Sequence, residues 1–199
     1  MARRSIVWVK EEPLGAEFAD VNLERGRLAA AGTAVGSAPL GYRATYQLTT
    51  GPRYVTTSLS VSVHGNGWWR WLHLERLRTG KWTARTGARG EVQLPAPGGE
   101  MSAVDKALDC DLALSPLTNT MPVLRHGLLR GGGPHDFMMA WVSLPDLRVF
   151  PSAQRYRFVR RSGRLSVIRY ESLSGTFGAD LTFDQDGLCV NYPGIGRSV

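Results

Sequence analysis

The chain has 199 residues, 43% hydrophobic and 21% charged, which excludes wholesale disorder and suits one domain, or two small similar halves, with a core of its own. Its formal charge is +7, from 24 basic and 17 acidic residues. Of the basic residues 21 are Arg and three are Lys (Lys10, Lys81, Lys106), a skew that reads as composition bias as much as affinity for a polyanion, so charge alone argues weakly for nucleic acid or anionic lipid. The N-terminal segment carries Arg3 and Arg4, but the apolar run Ile6 to Val9 is shorter than the ~7–15 residues of a secretory signal core. No stretch approaches the ~18 apolar residues of a membrane helix, and the cytoplasm is the expected location.

In chain order, residues 17–24 read as a short helical piece, and residues 28–34 and 42–49 as strands. Residues 54–63 alternate, with Val55, Thr57, Leu59, Val61 and Val63 on one face and Thr56, Ser58, Ser60 and Ser62 on the other. Further strands are expected over 68–76 and 90–94, a second short helix over 102–108, then strands over 137–143, 155–161 and 165–171. Glycine- and proline-rich breaks at 65–67, 95–99 and 131–134 separate them. Residues 176–183 put Phe177, Ala179, Leu181 and Phe183 on one face. The turn signature Asp184-Gln-Asp-Gly187 follows, and Leu188, Val190 and Tyr192 resume the alternation as a hairpin.

Nine or ten strands with almost no helical period predict a mainly β fold. Residues 42–77 and 156–192 echo each other weakly and flank an irregular centre, residues 109–125, which suggests an internal duplication with halves 1–100 and 101–199. Cys110 and Cys189 are too few for a disulfide framework and lack metal-ligand spacing, so reduced buried thiols are expected and no metal site.

In a strand, Trp69, Trp71 and His73 share one face and Trp68, Arg70 and Leu72 the other. Tryptophan with arginine can stack on bases, sugar rings or acyl chains, and can equally be core with Arg70 snorkelling. Asp109-Cys-Asp111 and the polar run Ser115 to Thr120 suit loop pinning through side-chain-to-backbone bonds, and fall short of the roughly six oxygens a hard cation takes. The sequence has no GxSxG elbow, HExxH motif or phosphate loop. His135 and Asp136, adjacent in a strand, point to opposite faces.

Several strings in register carry a family likeness: Gly32 to Gly36, Tyr42 to Tyr46, Gly80-Lys-Trp82, Leu108-Asp-Cys-Asp-Leu112, Ser115-Pro-Leu-Thr-Asn-Thr-Met-Pro122, Gln154-Arg-Tyr156, Arg169-Tyr-Glu171, Asp184 to Leu188 and Asn191-Tyr-Pro-Gly194. Together they resemble the bacterial putative glycolipid-binding family over nearly the whole chain. The resemblance implies a β-rich fold likened to periplasmic lipoprotein carriers, a half-barrel around acyl chains. It supplies no catalytic residues. Where the family has a "W-x-T/S-R" string this chain has Tyr54-Val-Thr-Thr57, so the arginine is missing.

The expectation is one β-rich domain over residues 1–199, a strongly curved antiparallel sheet or open barrel around an apolar cavity, with few short helices. The leading function is non-catalytic binding of an amphipathic small molecule, a lipid or glycolipid. Tyr46, Asn119, Gln154, Tyr156 and Tyr170 are the candidate polar contacts, and Trp69, Trp71 and Trp82 the candidate apolar wall. Core packing is the alternative role for each. An enzyme of cyclase or isomerase type acting on a hydrophobic intermediate in the same cavity is the second reading, and a nucleic-acid module the third. No cofactor is expected.

Overall fold

The computed structural model describes residues 2–199. Its strands are β1 (Ala2–Lys10), β2 (Gly15–Glu24), β3 (Arg27–Gly36), β4 (Tyr42–Thr50), β5 (Thr56–Gly65), β6 (Trp68–Arg76), β7 (Trp82–Arg89), β8 (Asp109–Leu112), β9 (His135–Val142), β10 (Val149–Ser162), β11 (Leu165–Ser172), β12 (Gly178–Phe183), β13 (Cys189–Tyr192) and β14 (Gly196–Ser198). One six-residue helix, α1 (Thr120–Arg125), follows a 3-10 turn at Pro116–Asn119. Among the described residues no helix is long and apolar enough to cross a membrane.

Period-two patterning makes these strands. In β4 the burial alternates residue by residue, with Tyr42, Ala44, Tyr46 and Leu48 inward and Arg43, Thr45, Gln47 and Thr49 outward. All 14 strands join one sheet in the order β7-β6-β5-β4-β3-β2-β1-β14-β13-β12-β11-β10-β9-β8. Every ladder is antiparallel except β8 with β9. β1 meets β14 through Trp8↔Ser198, Val9↔Arg197 and Lys10↔Gly196.

The sheet is open: its edges, β7 and β8, do not pair with each other. The expected strongly curved sheet or open barrel is thus corrected, because the sheet is neither closed nor strongly curled. Closure is not needed to cover the apolar face, since the chain covers it with its own central segment. Cys110, Leu112, Leu117 and Met121 from residues 109–125 pack in one cluster with Trp8, Leu48, Leu59, Leu72 and Leu74 of the sheet. Each fully buried leucine contributes about 1.5–3 kcal/mol by leaving water. A second cluster joins Val123 and Leu128 to Tyr156, Ile168, Leu181, Phe183 and Cys189. Both cysteines are free and buried.

Two of the glycine–tyrosine strings have a physical cause. Gly32 pairs with Tyr46 and Gly36 with Tyr42 across β3 and β4. A Cβ on Gly32 would lie 2.3 Å from Cζ of Tyr46, so only glycine admits the ring.

Several local expectations change. Residues 17–24 lie in β2 rather than a helix, and only residues 102–104 of the second helical candidate turn, within the 3-10 segment Met101–Val104. Residues 90–94 form no strand; the loop is held by Arg70, whose guanidinium donates to the carbonyls of Leu94 (2.9 Å) and Pro95. Arg70 is buried while Trp69 and Trp71 are on the outer face, so the Trp–Arg string is divided between two sides. A bulge between Thr49 and Thr50 swaps the start of β5: Thr56 turns inward and Thr57 outward.

Candidate functional site

The β8 strand and the 3-10 turn after it lie beside β9, β11 and β13 and leave a pocket of about 360 Å³. That volume falls within the range of small-molecule sites. Leu112, Leu114, Trp141, Leu144 and Ile195 supply apolar wall, and Tyr170, Phe177 and Tyr192 an aromatic one. Asp111, Ser115 and Asn119 supply polar groups. Leu114 holds a left-handed backbone (φ 62°). For a non-glycine residue that conformation costs on the order of 1–3 kcal/mol.

Hydrogen bonds fix the polar groups from behind. Asp111 accepts from Thr118 Oγ1 and from Gln154 Nε2, each at 2.7 Å. Tyr156 donates to Asn119 Oδ1 at 2.7 Å, with Gln154 Oε1 at 3.1 Å from the same hydroxyl. Asn119 Nδ2 donates to the Pro116 carbonyl (3.2 Å). A second buried network reaches the pocket from the other half of the sheet. Ser115 donates to Glu17 Oε1 (2.5 Å), which also accepts from Tyr46 (2.7 Å), and Lys10 Nζ lies 3.0 Å from Glu17 Oε2. One wall segment is therefore pinned by carboxylates from β2 and β8.

Burial pushes the Asp111 carboxyl above its ordinary range; the bonds from Thr118 and Gln154 oppose this, and the Asp109 charge adds to it. Burial likewise raises the Tyr156, Tyr170 and Tyr192 phenols, which stay protonated at neutral pH. Asp111 is the only acidic residue lining the pocket, and no Lys, Arg or His lines it among the described residues. No group of three or more His, Cys, Asp and Glu suited to a metal occurs among the described residues.

A stability effect follows from Asp111. Its native pKa lies above the unfolded value near 4. The native state then binds the proton more tightly, so the associated stability is fully present below the unfolded pKa and is lost as pH rises through the native one. Asp111→Asn removes this dependence. The new amide can donate to Thr118 Oγ1, whose proton turns to the Ser115 carbonyl 3.2 Å away. The variant should be at least as stable as the parent at pH 8 and lose its relative advantage near pH 4, measured by urea unfolding at both pH values. A variant uniformly weaker at both would show that the carboxylate's hydrogen bonds outweigh its desolvation.

Of the sequence-derived candidates, Asn119 and Tyr170 line the pocket, and Gln154 and Tyr156 form the layer behind it. Tyr46 is buried on β4 and reaches the pocket only through Glu17 and Ser115. Trp82 is buried and donates its indole N–H to the Ala107 carbonyl at 3.0 Å. Trp69 and Trp71 belong to the outer face of β6, away from the pocket. Sequence reasoning left out Trp141, Phe177 and Tyr192 as site residues and favoured loop pinning over a cation site for Asp111. The signal for Phe177 and Tyr192 was their inward place in the alternation of the C-terminal hairpin.

The family model described as "Putative glycolipid-binding" matches residues 5–198, and the chain belongs to that family. The chain is also similar to a DUF1089 family protein from Pseudomonas aeruginosa, known from a crystal structure, at 26% identity and a TM-score of 0.69 over 92% of each chain. No curated protein matches the sequence.

Proposed function

We propose that this protein binds an amphipathic small molecule of the lipid or glycolipid kind in the pocket between β8, β9, β11 and β13, without transforming it. One observation carries the reading: an apolar and aromatic enclosure of about 360 Å³ whose few polar groups, Asp111, Ser115 and Asn119, are each held by hydrogen bonds before any ligand arrives. Preorganised polar groups on apolar walls fix a head group while the walls take the alkyl part. The family's name points the same way.

The test is native mass spectrometry of freshly purified protein, beside calorimetric titration with octyl glucoside and octanol. The reading expects a co-purifying species of a few hundred daltons or measurable binding of these probes, and loss of either in Leu144→Trp, which fills the pocket. Binding that survives the filled pocket, or no co-purifying species and no probe binding by the parent, would overturn it. A second reading, an enzyme acting on a hydrophobic substrate, draws on the same Asp111 carboxyl, a titratable group deep in the pocket. A co-purified molecule that is chemically altered on incubation would favour it.

A further inference from the structure

We infer that the occupant of this pocket carries a cationic nitrogen, a protonated amine or quaternary ammonium, seated between Asp111 and the rings of Tyr170, Phe177 and Tyr192. The inference rests on the pocket being the binding site and adds the charge of the ligand. Asp111 is half-buried and lines the pocket. Gln154 Nε2 donates to one of its oxygens and the Thr118 hydroxyl to the other, an arrangement that suits a carboxylate. Neither partner is charged. Asp109, two residues away on β8, adds to the negative potential, and its own counterion Arg125 is engaged with it in a two-pronged pair. A carboxylate taken partly out of water without a cation is costly, and such groups are ordinarily paired.

The rings supply the other half of the argument. Tyr170, Phe177 and Tyr192 form a triangle with centroids 6.0, 6.0 and 6.2 Å apart. Phe177, at 45% exposure, is the most open of the three. Aromatic faces are negative, so they attract an ammonium, as a carboxylate does. A phosphate, sulfate or carboxylate head would meet Asp111 and aromatic rings with no Lys, Arg or His lining the pocket among the described residues. A neutral sugar hydroxyl would satisfy a hydrogen bond but bring no positive charge to face a carboxylate at Asp111.

The experiment is calorimetric titration of the full chain at pH 7.5 with four eight-carbon probes: octylamine, octyltrimethylammonium, octyl glucoside and octanoate. The cationic pair should bind at least tenfold tighter than the glucoside, and octanoate weakest. Asp111→Asn, checked as folded by its unfolding transition, should lose about tenfold or more for the cations and little for the glucoside. Tyr192→Leu should lessen the preference for the cations without abolishing glucoside binding. If the glucoside binds as tightly as the cations and Asp111→Asn changes neither, the cation inference falls while the pocket reading stands. If none of the four binds the parent, both fall.

Discussion

Replacing Asp109 by asparagine should remove about 3–5 kcal/mol of folding stability, a large share of the ~5–15 kcal/mol that domains possess. Asp109 begins β8 and Arg125 ends α1, and each side chain is 1% exposed. The guanidinium donates from Nη1 and Nη2 to the two carboxylate oxygens. Burial alone pushes the Asp109 carboxyl upward, and the guanidinium opposes it. Taking away the aspartate leaves a buried cation whose Nε already lacks a partner. The uncompensated charge, rather than the lost attraction, sets the size of the effect. Guanidinium chloride unfolding followed by circular dichroism reads it directly. The double replacement Asp109→Leu with Arg125→Met should recover most of the loss, because no buried charge remains. A loss below about 1 kcal/mol in the single variant would mean that water reaches Arg125.

Lys10→Met should be comparably costly, about 3–5 kcal/mol. Lys10 is 3% exposed and Glu17 0% by side chain. Glu17 Oε1 keeps Tyr46 and Ser115 as donors, but Oε2 has only Lys10 nearby and no other partner. Methionine fits the space of the lysine stem, so the charge change dominates over volume. The same denaturation measurement applies. Glu17 also anchors Ser115 in the pocket wall, so ligand affinity in Lys10→Met should fall with stability. Unchanged affinity in a folded but weakened variant would mean that Ser115 is held without Glu17.

These buried charges also explain what the sequence hid. Lys10 and Glu17 both take inward positions, on β1 and β2. Each alone interrupts an apolar alternation, and together they disguise two strands, so residues 17–24 read as helical. β6 was legible to the residue because Leu72 and Leu74 alternate without a charge except Arg70. β7 escaped notice because, as an edge strand, it buries only Trp82 well. Part of the pocket was visible as polar strings: Asn119, Gln154, Tyr156 and Tyr170 sit in the family motifs and converge in space. The meeting of those strings with Trp141, Phe177 and Tyr192 depends on residues 111–119 packing beside strands distant in sequence, which periodicity alone does not specify. Trp69 and Trp71 drew attention by composition, yet strand alternation turned them to the outer face.

The seam between β1 and β14 carries a consequence for the wiring of the chain. Among the described residues, strand neighbours follow sequence order along β1 to β7 and along β8 to β14; the exception is this three-residue ladder, where the first and last strands meet mid-sheet. Ala2 lies about six strand residues, roughly 20 Å, from the level of Ser198 along the seam. A short linker across that gap, with new ends opened in the loop before β8, would give a circular permutant running β8 to β14 and then β1 to β7. Its order along the chain would be the order across the sheet, turning the most remote pairing in the molecule into a neighbouring one and lowering the contact order that slows β folding.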